Sequence, residues 1–524
     1  MDLISIISFF GFTFLVAFVS WWKTKDYEQD SSDGYFLGGR SLTGGVIAGS
    51  LMLTNLSTEQ LIGLNGVSFS EGLVAIAWET LASISLVLLA LFFLPRYLKS
   101  GLTTVPEFLE DRFDRTTRTM TTCLFLMGYV FILLPIVLYS GSLGLIGIFN
   151  LDQLFGLTHA EAIWCGVWAI GLVGSIYAIF GGLRAVAISD TVNGMGLLIG
   201  GIALPLFGLS FIGDGSIVEG FSILRDANPD KFSAVGREDQ SVPFSTLFTG
   251  MILVNTFYWC TNQAIVQRAL AAKNLAEGQK GALLAGFLKL LGPLILVLPG
   301  MIAFHIFGNE LATGDLAYPM LVQKVLPSHW VGFFAAVMAG AILSSFNSAL
   351  NSAVTLFSVG IFKRHIKPNS SDKQLVKVGQ IFGAVLALVS MLVAPFIMYA
   401  PQGLFGYLQM VNGCYSIPIL TIILVGMFTK RVPAFAAKVA LIFGVVTYFI
   451  SQFIWKVDLH YLHVMAILFV ISTALMLVIG YFRPMAVAYE QKYTEQVDIT
   501  PWPYAKIVGL FIVCAAVTTY VVFS

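Results

Sequence analysis

Seven short stretches put charged, amide or hydroxyl side chains inside otherwise apolar sequence. The densest is Thr54-Asn55-Leu56-Ser57-Thr58-Glu59-Gln60, followed by Gly63 and Gly66. Glu79 stands alone in Ile76-Ala77-Trp78-Glu79-Thr80-Leu81, and Lys289 stands alone among Phe287, Leu288, Leu290 and Leu291. Asn255, Tyr258, Trp259 and Asn262 fall at i, i+3, i+4 and i+7, so one helix face would carry two amides and two rings. Such a face can hydrogen-bond hydroxyls and stack on a sugar ring. Ala341, Ser344 and Ser345 also share a face, and two hydroxyls with nearby carbonyls make an oxygen-only set that suits a hard monovalent cation. Gln409, Asn412 and Gly413 form one further intrusion, and Ser189, Asp190 and Asn193 another.

The surroundings explain why these residues stand out. The chain has 524 residues, 57% hydrophobic and only 11% charged. A soluble domain is about a quarter charged. About 20 apolar residues cross a bilayer, and a charged residue at the centre of such a helix costs about 2.5–3.5 kcal/mol on insertion scales. The chain is therefore expected to be solvated largely by lipid, and its intramembrane polar groups should line a cavity or pair with one another. Glu79 is the natural counter-charge for Lys289. Bland alternatives stay open for each stretch: a polar stripe between helices at 54–60, a structural hydrogen bond at Glu79, an interfacial aromatic belt at 255–262. Ser344 and Ser345 could belong to a small-residue packing face with Ala335, Ala336, Ala339 and Gly340, and Asp190 could sit in a wet vestibule.

Fourteen candidate spans follow, at 2–22, 42–68, 72–98, 117–149, 160–180, 183–212, 243–271, 279–307, 327–362, 374–400, 402–429, 432–455, 459–482 and 503–523. With the N-terminus outside, 23 of the 29 basic residues fall in cytoplasmic loops, as the positive-inside rule demands. The first segment has no basic residues before it and no cleavage pattern after it, so it reads as a span that stays. The heaviest polar intrusions lie in the second and seventh spans. That spacing predicts two five-helix repeats of inverted topology, each opening with a discontinuous helix, at 42–212 and 243–429. An extra N-terminal helix (1–22) and three peripheral helices (432–524) flank them. The five cysteines are scattered and read as buried free thiols. The six histidines make no metal-ligand pattern, and no Ser/His/Asp set converges, which argues against an enzyme.

Ile176-Tyr177-Ala178-Ile179-Phe180-Gly181-Gly182-Leu183-Arg184-Ala185-Val186 with Asp190 resembles a signature of the solute:sodium symporter family. Asn255 to Asn274, Gly278 to Pro299, Thr103 to Phe113 and Ser344 to Phe357 resemble the same regions of its sodium/sugar cotransporters, over about residues 34 to 430. The resemblance implies an all-α integral membrane protein with about 14 transmembrane helices and a LeuT-like core. It implies sodium as the co-transported ion, no organic cofactor, and a hexose such as glucose or galactose as solute. It carries substrate binding onto Gln60, Glu79, Asn255, Lys289 and Gln409, and an inner aromatic gate onto Tyr258. It carries the sodium site onto the Leu53, Leu56 and Ala341 carbonyls and the Ser344 and Ser345 hydroxyls, with Asp190 near the sodium exit path. A family serine three residues after the Glu is Ala82 here, which removes one hydrogen bond to the solute. A monomer in a bacterial inner membrane, with both termini periplasmic, is expected. Another solute (a carboxylate, vitamin or amino acid) and proton coupling through Glu59, Glu79 or Asp190 remain rival readings.

Overall fold

In lipid every backbone polar group must be satisfied within the protein, and helices do this segment by segment. The computed structural model describes residues 3–24, 31–311, 313–399 and 404–524. Residue 2 of the first predicted span, residues 400, 402 and 403 at the edges of two later ones, and the side chains of 177–182 inside the family signature lie outside the description. Among the described residues the structure is all helical, and its one β contact is an isolated parallel bridge from Leu42 to Ala272.

Helix α1 (Leu3–Thr24) precedes α2 (Gly44–Asn55) and α3 (Thr58–Glu71), the two halves of a broken segment. Next come α4 (Ile76–Leu88), then α5 (Arg115–Gly128), which runs through a π turn at Tyr129–Leu133 into α6 (Leu134–Phe149). Helix α7 (His159–Ile212) holds two apolar stretches. A second broken segment follows as α8 (Gly250–Cys260) and α9 (Gln263–Leu270). Then come α10 (Leu275–Lys289), α11 (Leu298–Phe307), α12 (Ser328–Thr355), α13 (Asp372–Val393) and α14 (Leu404–Phe428). The chain closes with α15 (Ala434–Phe449), α16 (Tyr461–Phe482) and α17 (Ala505–Val522).

Eleven helical stretches among the described residues are long and apolar enough to cross a membrane, and twelve if the pair Leu275–Lys289 and Gly292–Phe307, bent by 51°, counts as one span. Three of the fourteen predicted spans, 42–68, 243–271 and 279–307, do not form continuous helices. The first two are interrupted where their polar residues cluster, and the third just after Lys289. Along α7, Gly174 meets Phe346 and Asn193 meets Gly340, both on α12. Gly72 ends α3 at φ +82, and a Cβ there would lie 2.4 Å from the Lys231 carbonyl. The Lys231 ammonium in turn donates to the Phe69 and Ser70 carbonyls at 2.9 and 2.7 Å, a cation at a helix C-terminus.

Two expectations need correction. Of the five cysteines only Cys260 is buried; Cys414 is half-buried, and Cys123, Cys165 and Cys514 are exposed on apolar helices, because lipid solvates those faces. Arg112, Arg118 and Arg268, counted above as loop charges, are buried. Arg112 donates to the Gly426, Thr429 and Val432 carbonyls, and Arg118 pairs with Glu107 and Glu110. Arg268 lies wholly inside the protein.

Candidate functional site

The interruptions place backbone ends and polar side chains at mid-bundle. Helix α2 stops at Asn55 because Leu56 and Ser57 leave helical geometry (ψ 61 and −178), and α3 restarts at Thr58. Helix α8 stops at Cys260, and the Asn262 side chain caps α9 by accepting from the Ala264 amide at 3.0 Å. Between these breaks lies a cavity with about 610 Å³ of empty volume, its solvent-open part included.

Five of the six predicted solute residues line this cavity: Gln60, Glu79, Asn255, Tyr258 and Gln409. Gln60 Oε1 is buried without a hydrogen-bond partner, and Asn255 donates to the Met251 carbonyl, which leaves its own oxygen to accept. Ala82 lies on the wall and offers no hydrogen bond there. Trp78, Asn412, Tyr415 and Ser416 also line the cavity, and the sequence reading did not choose them as binding residues. Tyr415 had a signal: it follows Asn412 by three positions, and its hydroxyl donates to the Asn412 side chain at 3.0 Å. Trp78 meets Phe405 edge to face at 5.0 Å and separates the cavity from a wider vestibule that includes Glu71, Asp315 and Lys456.

Lys289 does not reach the cavity wall. It is wholly buried behind Glu79, and its ammonium donates to both carboxylate oxygens at 2.9 and 2.7 Å. A third bond goes to the side chain of Asn55, the last residue of α2, and the Trp259 ring lies 5.4 Å away. One ammonium thus neutralises the cavity carboxylate and anchors the first break. The chain bends just after Lys289, where Gly292 leaves room: a Cβ there would lie 2.2 Å from Glu79 Oε2.

The predicted cation residues also meet. Ser345 donates to the Thr54 carbonyl at 3.2 Å, which joins α12 to the last turn of α2, where carbonyls lack intrahelical amides. Ser344 Oγ is buried with no partner, and Ala341 lies one turn before Ser345 on the same face. The Leu53 and Leu56 backbones belong to the same end of α2. Asp190 is fully buried in this conformation, so the wet-vestibule reading does not describe it. It accepts from Ser50 at 2.8 Å, and Ser50 accepts from Arg268 at 3.2 Å. Arg268 also bonds Ser348, whose hydroxyl meets Thr54 at 3.2 Å. Asp190, Arg268 and the end of α2 therefore form one connected network.

Residues 35–444 match the Sodium:solute symporter family. The chain belongs to that family. It is 50% identical over 520 residues to the "Uncharacterized symporter YidK" of Escherichia coli (strain K12), covering 99% of this chain and 91% of that protein. It is 34% identical to the sodium/glucose cotransporter of Vibrio parahaemolyticus, with 84% of each chain covered. With the human sodium/myo-inositol cotransporter 2 it shares 32% identity over 80% of this chain and 65% of that one. Among solved structures, a Na+-coupled sialic acid symporter superposes with a TM-score of 0.79 at 23% identity, covering 94% and 99% of the two chains. A nucleobase-cation-symport-1 family transporter superposes at 0.56 with 14% identity, covering 86% and 95%. The family member described here is thus a membrane-spanning, sodium-coupled symporter with a LeuT-like core, and not an enzyme.

Proposed function

We propose that this symporter imports a small neutral polyhydroxylated solute, a hexose such as glucose or galactose, with one sodium ion. The observation that carries the reading is an amide-lined cavity whose one charged lining residue among those described, Glu79, is neutralised by Lys289. An anionic solute would want an unpaired cation, and Lys289 is taken. Gln60, Asn255 and Gln409 would hydrogen-bond hydroxyls, Tyr258 would close the inner path, and Trp259 and Trp78 offer ring faces. The named relatives that handle glucose and inositol, both neutral polyols, favour the same class.

Sodium would bind where α2 ends against α12, held by the Leu53, Leu56 and Ala341 carbonyls and the Ser344 and Ser345 hydroxyls. That would fix the first break and set Gln60 for the solute. Asp190 would stand near the sodium exit path. One charge moved through 100 mV releases about 2.3 kcal/mol, and a tenfold sodium gradient about 1.4 more. Together these support a solute gradient of roughly 500-fold, so one ion suffices. The bacterial relatives favour a bacterial inner membrane, the basic-residue asymmetry favours both termini on the outer side, and the protein would work as a monomer.

The test is uptake of a labelled hexose panel into liposomes with and without an inward sodium gradient, for the parent chain and Lys289→Ala. Removing one member of a buried pair costs about 3–5 kcal/mol, so the variant should lose sodium-driven uptake at least a hundredfold. Sodium-driven uptake of no sugar would sink the hexose reading and turn attention to carboxylates and amino acids.

A further inference from the structure

Past the second break, α9 continues the chain on the side of the cavity away from the vestibule. All eight of its residues are buried. Its side chains are stitched to three other elements: Gln263 accepts from the Val105 amide at 2.8 Å, and Gln267 donates to the Phe36 carbonyl at 2.7 Å and to Thr355 at 3.0 Å. The Ser352 hydroxyl donates to Gln267 at 2.9 Å from α12. These bonds hold the body of α9. Two tyrosines hold the break itself: the Tyr97 hydroxyl donates to the carbonyl of Cys260, the last residue of α8, at 3.0 Å, and Tyr129 reaches the capping residue. The Tyr129 hydroxyl, fully buried, donates to Asn262 Oδ1 at 2.6 Å and accepts from the Ala264 amide at 2.9 Å.

We propose that Tyr129 is a latch: its hydroxyl holds the second break shut, and its release opens the cavity on the side away from the vestibule. This rests on the transport reading above. A phenol buried for packing alone needs one partner for its hydroxyl. Here donor and acceptor are both spent at the same cap: the hydroxyl donates to the capping side chain of Asn262 and shares with it the amide of Ala264, the second residue of α9. Tyr129 opens the π turn between α5 and α6, and single π turns inside helices recur at functional sites. The same span reaches the other break: in α6, Ser140 meets Thr58 at 3.0 Å, at the first residue of α3. One continuous rod thus touches both breaks, and a shift at the first can be felt at the second. Tyr129 does not line the cavity, so it acts by positioning α9 and not by touching solute.

The test uses two single-cysteine reporters in the purified full chain, with the five native cysteines replaced. Ser352→Cys reports the seam against α9, and Val67→Cys reports the vestibule. A water-soluble maleimide is the probe. Tyr129→Phe keeps the ring and deletes both bonds. It should raise the labelling rate at position 352 about tenfold and lower the rate at position 67, because a population moved to the opposite opening must close the vestibule. Asn262→Ser, which keeps a capping hydroxyl but shortens it out of the tyrosine's reach, should move both rates the same way. That variant decides the matter if Tyr129→Phe does not fold. Unchanged rates would overturn the latch. So would a rise at both positions, which marks general loosening. Running each arm in sodium chloride and in choline chloride separates the two readings. Sodium should slow labelling at 352 in the parent chain; a missing sodium effect would count against the transport reading and leave the Tyr129 comparison standing.

Discussion

The two breaks differ in how completely they are satisfied. At the first, Ser57 Oγ, Glu59 Oε2 and Gln60 Oε1 are all buried without a hydrogen-bond partner, and Ser344 Oγ beside it is in the same position. At the second, Thr261 donates to the Phe257 carbonyl at 2.8 Å, Asn262 accepts from Tyr129 and Ala264, and Gln263 is bonded on both of its polar atoms. Buried polar groups are nearly always bonded, and exceptions ask for an explanation. The first break keeps polar atoms that its own side chains leave unbonded, as the proposed sodium and solute site would need. The second is complete, and complete networks hold position.

This contrast can be broken by substitution. The largest effect should come from Gly292→Ala, which pushes a methyl into the Glu79 carboxylate and so strikes the joint that holds Asn55. A separated buried pair costs about 3–5 kcal/mol, so sodium-driven uptake should fall at least a hundredfold and the melting temperature should drop. Normal uptake would show that the first break does not depend on that joint. A smaller, more discriminating effect comes from a matched pair. Ser344→Ala removes one hydroxyl of the proposed sodium site. Sodium affinity, read as the shift of melting temperature with sodium concentration, should weaken about tenfold, while stability without sodium stays level. Asn262→Ala should do the reverse at the second break, lowering sodium-free stability by about 1 kcal/mol through loss of a helix cap. If both variants behave alike, the distinction between the breaks is empty.

The smallest effect lies outside the spans, at His460, which caps α16 by accepting from the Leu462 amide at 3.3 Å. Burial lowers its pKa, and neighbouring His463 lowers it further. A histidine lowered by folding is neutral in the folded state, so its contribution is intact above about pH 6.5, the unfolded value. It is lost as pH falls below that toward the folded value. Melting temperature should therefore decline on acidification below about pH 6.5, and His460→Gln should flatten part of that decline.

Much of this was legible in the sequence, for a specific reason. Polar residues in lipid are costly, so the runs at 54–60 and 255–263 announce broken helices, and a lone Lys and a lone Glu announce each other. Helical periodicity shows which residues share a face but not which helix they face. It could not reveal that Lys289 sits behind Glu79, away from the cavity wall, or that it binds Asn55. Tyr129 lies in Gly-Tyr-Val-Phe-Ile-Leu, an apolar run like many others, and its π turn shifts the register that periodicity assumes. Arg268 looked like a loop charge because only the packed structure shows Ser50, Asp190 and Ser348 gathered around it.

The Trp78–Phe405 contact has one more consequence. Where the cavity meets the vestibule, two apolar rings face each other edge to face. Such a barrier sorts molecules by waiting time and not by fit: whatever is small enough passes when the rings happen to part. The frequency of that parting would then cap the turnover of the whole molecule, however well the cavity suits its cargo.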